Sequence, residues 1–282
     1  DPAKNIARLA NKGGITTLPK FFSLSAAENI LKKYGHMGVI IANNVLAHTD
    51  NPHEIIAGVK KLLDPKGIFV FEVQYMGDFL DKKEFDNTYH EHVCYFSLAP
   101  LVKLLNKWGL EIFNVERVAG QGGSIRILSS HTPLHFPVNP SVEKLKRNEK
   151  KQGLHNLQTY KNFSATPQTI KKNLVALLKK LKKQNKMIVG YGASAKGNTM
   201  LQYCGIGPDI IDYIVDTAPS KQWKFTPGTR IPIFPTEHLK KNPPDYILLL
   251  AWNYADSIIK KEAWLKKHGT KFIKPVPQVK II

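Results

Sequence analysis

Short apolar runs rich in β-branched residues alternate with segments of 3.6-residue periodicity along most of this chain, and that alternation is what most constrains its fold. MGVIIANNV (37–45) is bounded by Gly35 and Asn43 and reads as a buried strand. NPHEIIAGVKKLLDPKG (51–67) opens on an Asn cap, carries apolar residues at helical spacing and stops at Pro65 and Gly67. IFVFEVQY (68–75) is the next strand, SLAPLVKLLNKWG (97–109) the next helix, and LEIFNVERV with GGSIRILSS predicts a closing antiparallel pair. Amphipathic segments at 2–10 and 24–35 precede the first strand. Residues 1–130 therefore predict an α/β unit with a parallel, doubly wound sheet, a fold that binds ligands outside the carboxyl ends of its strands.

The pattern changes at HTPLHFPVNP, a proline-punctuated joint. From there to Asn185 two long lysine-rich helical patterns run without a strand, so 131–185 reads as a helical connector. Alternation resumes at Lys186 with MIVGYG, IIDYIVD, DYILLLAW and KFIKPVP as strands and SAKGNTMLQYCG, PTEHLKK and YADSIIKKEAWLKKHG as helices. Residues 186–282 thus form a second α/β domain of Rossmann-like type.

A length of 282 residues with 43% hydrophobic content suits two domains of ordinary size. Cys94 and Cys204 stand alone without CxxC spacing, which supports neither a disulfide framework nor a zinc site and fits a reducing cytoplasm. No apolar run approaches the roughly 20 residues that cross a bilayer, and DPAKNIARLA lacks a signal-peptide core, so no membrane association is expected. The formal charge of +19 favours anionic partners. No helix-turn-helix, RNP or zinc-finger pattern accompanies it, and the lysine runs at 141–153 and 178–186 fall on solvated helix faces, so no nucleic acid is expected.

Three stretches carry chemistry. GYGASAKGN (190–198) joins a strand to a helix; its glycines and the free N–H groups of the helix start can hold a phosphate, with Lys196 adding charge, or the glycines serve only the tight turn. ANNVLAH (42–48) lies at a strand's carboxyl end, where Asn43 and Asn44 either contact a cofactor or cap the turn, and His48 reads as a hydrogen-bonded structural histidine. EFDNTYHEHVCYFS (84–97) is the densest. His90 and His92 lack HExxH spacing and an evident third ligand, and Cys94 enters an apolar run, so neither metal nor thiol chemistry is favoured. General acid/base work remains, with a histidine, a carboxylate to orient it and a tyrosine to donate to an oxyanion, against the alternative of a polar loop packed by its aromatics.

Together, ANNVLAHTDNPHEIIAGVKKLLDPKGIFVFEVQY, EFDNTYHEHVCYFSL, GGSIR, GYGASAKGNTMLQYCGIGPDIIDYIVDTAPSKQ, PGTRIPIF and DYILLLAWNYADSI resemble the S-adenosylmethionine-dependent C-methyltransferases of deoxysugar biosynthesis. The resemblance implies transfer of a methyl group to a ring carbon, C3, of a nucleotide-linked 4-keto-6-deoxyhexose, held between a methyltransferase domain and a Rossmann-like domain. It implies His92 as the base that forms an enolate, Tyr89 as stabiliser of the enolate oxygen and Glu91 as orienter or substrate contact. It places Asp1 at the ribose-binding acid, with Asn43 and Asn44 also at the cofactor. It implies a diphosphate site at Ser194, Lys196, Gly197 and Asn198, and a sugar pocket bordered by Tyr75, Ser124 and Arg126. Gln121 stands where the family commonly has histidine. The family's zinc-binding domain and cofactor glycine loop would lie upstream of Asp1, so the chain reads as part of a longer protein, with zinc expected only in that missing part. The competing readings are a non-catalytic nucleotide-binding module and a basic nucleic-acid-binding protein or methyltransferase.

Overall fold

The computed structural model describes the backbone of all 282 residues and every side chain except that of Gln121, so the departure at that position lies outside the described residues. The chain divides into two compact units, Asp1–Gly77 with Val93–His155, and Asp78–His92 with Asn156–Ile282.

The first unit runs α1 (Lys4–Lys12), α2 (Leu24–Tyr34), β1 (Met37–Asn43), α3 (Pro52–Leu62), β2 (Leu63–Gln74), the start of α4 (Met76–Asp81), α5 (Leu98–Lys107), β3 (Leu110–Val118), β4 (Ser124–His131) and α6 (Pro140–Gln152). Its sheet has the order β1-β2-β4-β3, with β1 and β2 parallel and the rest antiparallel. Apolar residues at alternate positions of β2, Phe69, Phe71 and Val73, are fully buried, and the first two rings stack at 4.8 Å. Asn51 caps α3 as its sequence predicts, accepting the Glu54 N–H at 3.3 Å.

The expectation of a buried first strand fails. Among the described residues β1 hydrogen-bonds to β2 along one side, and Val39 and Ile41 are 59% and 65% exposed. α4 carries no signal that the sequence reading used.

α5 starts at Ser97, whose side chain makes no capping bond. The missing cap comes from α6: Glu149, fully buried, accepts the Leu98 N–H with one oxygen and the Ala99 N–H at 3.2 Å with the other. Glu149→Ala therefore leaves one buried and one part-buried donor without acceptors and is expected to destabilise the chain by about 3 kcal/mol. Denaturant unfolding checks this, with Glu149→Gln, which keeps one acceptor, expected to lose less.

The second unit continues with α7 (Leu157–Phe163), α8 (Ala165–Lys183), β5 (Ile188–Tyr191), α9 (Ala195–Cys204), β6 (Tyr213–Val215), β7 (Lys224–Phe225), β8 (Pro232–Phe234), β9 (Tyr246–Leu249), α10 (Ala255–Lys261), β10 (Lys271–Lys274) and β11 (Lys280–Ile281). The seven-stranded sheet has the order β11-β10-β9-β5-β6-β8-β7, parallel from β10 to β8 and antiparallel at both edges. From β5 the chain proceeds outward to β6 and β8, then crosses back to β9 and β10 on the other side. β5 thus sits at the point where strand order reverses, and a crevice opens there beyond the strands' carboxyl ends.

Domain boundaries differ from those read in the sequence. The stretch 131–185 is not one connector but three helices shared between the units. α6 stays with the first because Val142, Leu145 and Glu149 bury there, whereas Ile170, Leu174, Leu178 and Leu181 of α8 enter the core of the second. Residues 78–92 leave the first unit for the second, since Phe85 joins that core and packs against Tyr203 at 5.3 Å. PTEHLKK forms a 3-10 turn rather than an α-helix, and YADSIIKKEAWLKKHG breaks after Lys261. The break buries Glu262, which accepts from Tyr191 Oη at 2.8 Å and Trp264 Nε1 at 2.9 Å. The short β7–β8 hairpin was missed, its strands being too brief to show a period of two. Among the described residues, no helix is long and apolar enough to cross a membrane.

Candidate active site

GYGASAKGN forms the turn from β5 into α9 at the strand-order reversal. Gly192 has φ +91, and a Cβ there would stand 2.7 Å from Ala251 Cβ; one at Gly197 would stand 2.8 Å from Leu250 Cβ. Both are held to glycine by close approach of the segment after β9. Ser194 caps α9, its Oγ accepting the Gly197 N–H at 3.1 Å. Asp216, at the end of β6, locks the turn by accepting from Ala193 N at 2.7 Å and Ala218 N at 2.8 Å.

Residues 89–92 form a second tight turn, closed by the His92 N–H donating to Tyr89 O at 3.0 Å. An i to i+3 turn puts its first and last side chains on one side: Tyr89 Oη lies 3.1 Å from His92 Nε2, with the rings 4.4 Å apart. His90 and Glu91 occupy the exposed corners.

The two turns face one cavity of about 900 Å³ within the second unit. Thr88, Tyr89, His90 and Glu91 line it on one side; Ala193, Ser194, Ala195, Asn198 and Thr199 line it on the other. Lys221, Lys224, Phe225 and Pro227 contribute basic and apolar groups from the β6–β8 region. Asn198 Oδ1 is buried without a hydrogen-bond partner among the described residues. His92 is not itself a lining residue; it reaches the cavity through Tyr89.

Behind these walls lies a cluster of charge. Lys196 is only 7% exposed and does not line the cavity; its Nζ sits 4.9 Å over the Trp252 ring. The Trp252 Nε1–H donates to Asp86 Oδ2 at 2.6 Å, and the Asn87 amide donates to Glu84 Oε2 at 2.7 Å. Burial pushes Glu84 up to about 7 and Asp86 up to about 6, each opposed in part by the Lys196 charge, while burial lowers Lys196. Cys94 is a poor nucleophile: burial and then the Asp50 charge raise its thiol.

The remaining expected site residues belong to the first unit. Asp1 Oδ1 accepts the Ala3 N–H at 2.8 Å. Asn43 is exposed at the end of β1, and Asn44 follows with φ +55. Tyr75 is buried under the Arg117 guanidinium at 4.5 Å, and Ser124 is buried with its hydroxyl donating to Gly120 O at 3.1 Å. Arg126, partly exposed, bridges Glu72 at 3.2 Å and Glu116 at 3.6 Å.

Comparison with known proteins divides the chain at a different place from the two units, between residues 115 and 119. Residues 3–115 match the profile of a methyltransferase domain and residues 119–277 that of the C-methyltransferase C-terminal domain. Over all 282 residues the sequence is 36% identical to C-methyltransferase NovU of Streptomyces niveus, spanning 67% of that protein. This chain belongs to the C-methyltransferase family. It is an S-adenosylmethionine-dependent enzyme of that family, and its second unit carries most of the family's C-terminal domain. Solved structures that resemble parts of this C-methyltransferase include a SAM-dependent methyltransferase from Anabaena variabilis (14% identity, TM-score 0.38, 46% of this chain and 66% of that one). Another is a possible histamine N-methyltransferase from Thermotoga maritima (17% identity, TM-score 0.35, 46% and 70%).

Sequence reasoning missed Asp86, Glu84, Asp216, Trp252 and the Lys221–Phe225 wall. Asp216 had a usable signal, an acid at a strand end some 20 residues after a glycine turn. The acids at 84 and 86 were visible beside YHEH, but nothing local to them showed that they would be buried.

Proposed function

We propose that this C-methyltransferase methylates a ring carbon, C3, of a nucleoside-diphosphate-linked 4-keto-6-deoxyhexose, with the sugar nucleotide in the cavity of the second unit and His92 as the base. What carries the reading is the Tyr89–His92 contact of 3.1 Å at a cavity wall that faces a glycine-turn helix start. A ketone at C4 acidifies the C3–H bond. When the ketone oxygen enters, the Tyr89 hydroxyl turns to it and frees Nε2 of His92 to take the C3 proton. The electron pair left on the enolate carbon forms the new C–C bond, and the proton stays on His92. S-adenosylmethionine supplies the electrophilic methyl group and departs as S-adenosylhomocysteine.

The diphosphate is assigned to the start of α9, with Ser194 and Asn198, and to Lys221 and Lys224 across the cavity. Gly197 serves this site by letting α9 approach Leu250, and Lys196 acts from behind the turn. Glu91 is assigned to a sugar hydroxyl and Phe225 to the face of the nucleobase. Donor binding is assigned to the first unit: one acid and two amides, Asp1, Asn43 and Asn44, match the hydroxyl and amino groups of adenosine. Arg126, held by two carboxylates, and buried Tyr75 and Ser124 remain substrate-contact candidates of the first unit, apart from the cavity of the second.

The test is S-adenosylhomocysteine release, with product mass, across nucleotide-linked sugars. Turnover is expected with 4-keto sugars and not with their 4-hydroxy counterparts; turnover that ignores the ketone sinks the enolate. Tyr89→Phe is expected to lower kcat by roughly 10²-fold, with little change in sugar-nucleotide affinity measured by calorimetry.

A further inference from the structure

We infer that Lys196, Trp252, Asp86 and Glu84 form a buried latch that fixes the Thr88–Glu91 wall of the cavity against the first turn of α9, making them positioning residues for Tyr89 and His92. The geometry gives each a place. Asp86 and Glu84, neither with any exposed surface, sit on the turn just ahead of Thr88. Trp252 lies between the elements, giving its N–H to Asp86 and its ring face to Lys196. Phe85, between the two acids, is plugged into the core beside Tyr203.

Lys196 is an expensive choice for this place. It is the second residue of α9, where the positive end of the helix opposes a cation, and it is buried with no hydrogen-bond partner for Nζ among the described residues. The two carboxyls and the indole ring offset that cost only while the acidic turn stays docked. The charge thus ties one cavity wall to the other. Lys82 beside Glu84 and the Cys204 thiol beside Asp86 are the other titratable groups that act on the cluster.

Asp86→Asn tests the latch because it keeps the shape and an acceptor for Trp252 while removing the charge. The folded carboxyl titrates above its ordinary range, so its contribution to stability is present below that range and lost as the pH rises through about 6. At pH 8 the variant, neutral throughout, is therefore expected to melt no lower than the parent, so quickening confined to 84–92 reports the lost pairing with Lys196 and not a global loss of stability. Amide exchange across 84–92 is nonetheless expected to quicken about 10-fold in Asp86→Asn and in Lys196→Met. With both changes together the cluster is less imbalanced, and the combined effect is expected to fall well short of the product of the two. In turnover, Asp86→Asn is expected to lower kcat about 10-fold with KM for the sugar nucleotide within about 3-fold.

Unchanged exchange in both single variants overturns the latch. So does a double variant whose loss is multiplicative. Quickened exchange with unchanged kcat overturns the positioning role. The kinetic half rests on His92 being the base, but the exchange half needs no substrate, so the latch stands or falls separately from that assignment.

Discussion

His92→Ala is expected to lower kcat for methyl transfer by about 10²- to 10⁴-fold, the range general-base catalysis contributes, while the sugar nucleotide still binds. The expectation follows from the turn. His92 is its last residue, its N–H closes the turn on Tyr89 O, and its ring is held by the Tyr89 hydroxyl. Alanine keeps the backbone bond and leaves the cavity lining intact, because His92 is not part of that lining. Calorimetry with the nucleoside diphosphate and single-turnover methyl transfer separate the two properties. Full turnover in the variant would remove His92 from the chemistry and move the base to a residue that lines this cavity, with Glu91 and His90 the candidates beside it.

Gly192→Ala is expected to be the most damaging single-methyl change in the second unit. Its φ of +91 disfavours any side chain, and the added Cβ would stand 2.7 Å from Ala251 Cβ, closer than real carbon contacts allow. Backbone strain and overpacking together are expected to cost about 3 kcal/mol, roughly 10 °C in Tm. A shift of the turn also pulls on the Ala193 N–H held by Asp216, and a displacement near 1 Å at the helix start is expected to cost about 10²-fold in turnover. Thermal melts and nucleotide binding check both parts. A variant with the parent's melting temperature would mean that Ala251 can withdraw and that the glycine serves only the ligand.

Much of the second sheet was legible in the sequence. MIVGYG, IIDYIVD, DYILLLAW and KFIKPVP contain β5, β6, β9 and β10, because buried parallel strands are continuous apolar runs. Likewise α3 announced itself by spacing and by Asn51 at its start, and α5 by spacing alone. β1 has the composition of an interior strand, yet composition does not show what packs on it, and among the described residues it pairs with β2 alone. The same limit applied to the connector: apolar residues on α6 and α8 show that each helix has a buried face but not which core receives it.

For the site, the local spacing Tyr89 to His92 and the glycine turn were both in the sequence, since each is made by residues within one turn of one another. Their meeting at one cavity was not. It depends on Phe85 and Asp86 docking beside Tyr203 and Trp252, contacts between residues more than a hundred positions apart. Sequence by itself determined the local turns, those at 89–92 and at 190–198, and which titratable and polar side chains they carry. Tertiary structure alone decided burial, and burial sets whether Lys196 is a ligand contact or an internal charge and whether Glu84 and Asp86 are ordinary surface acids or titrate near neutrality, because desolvation depends on what surrounds a group in space.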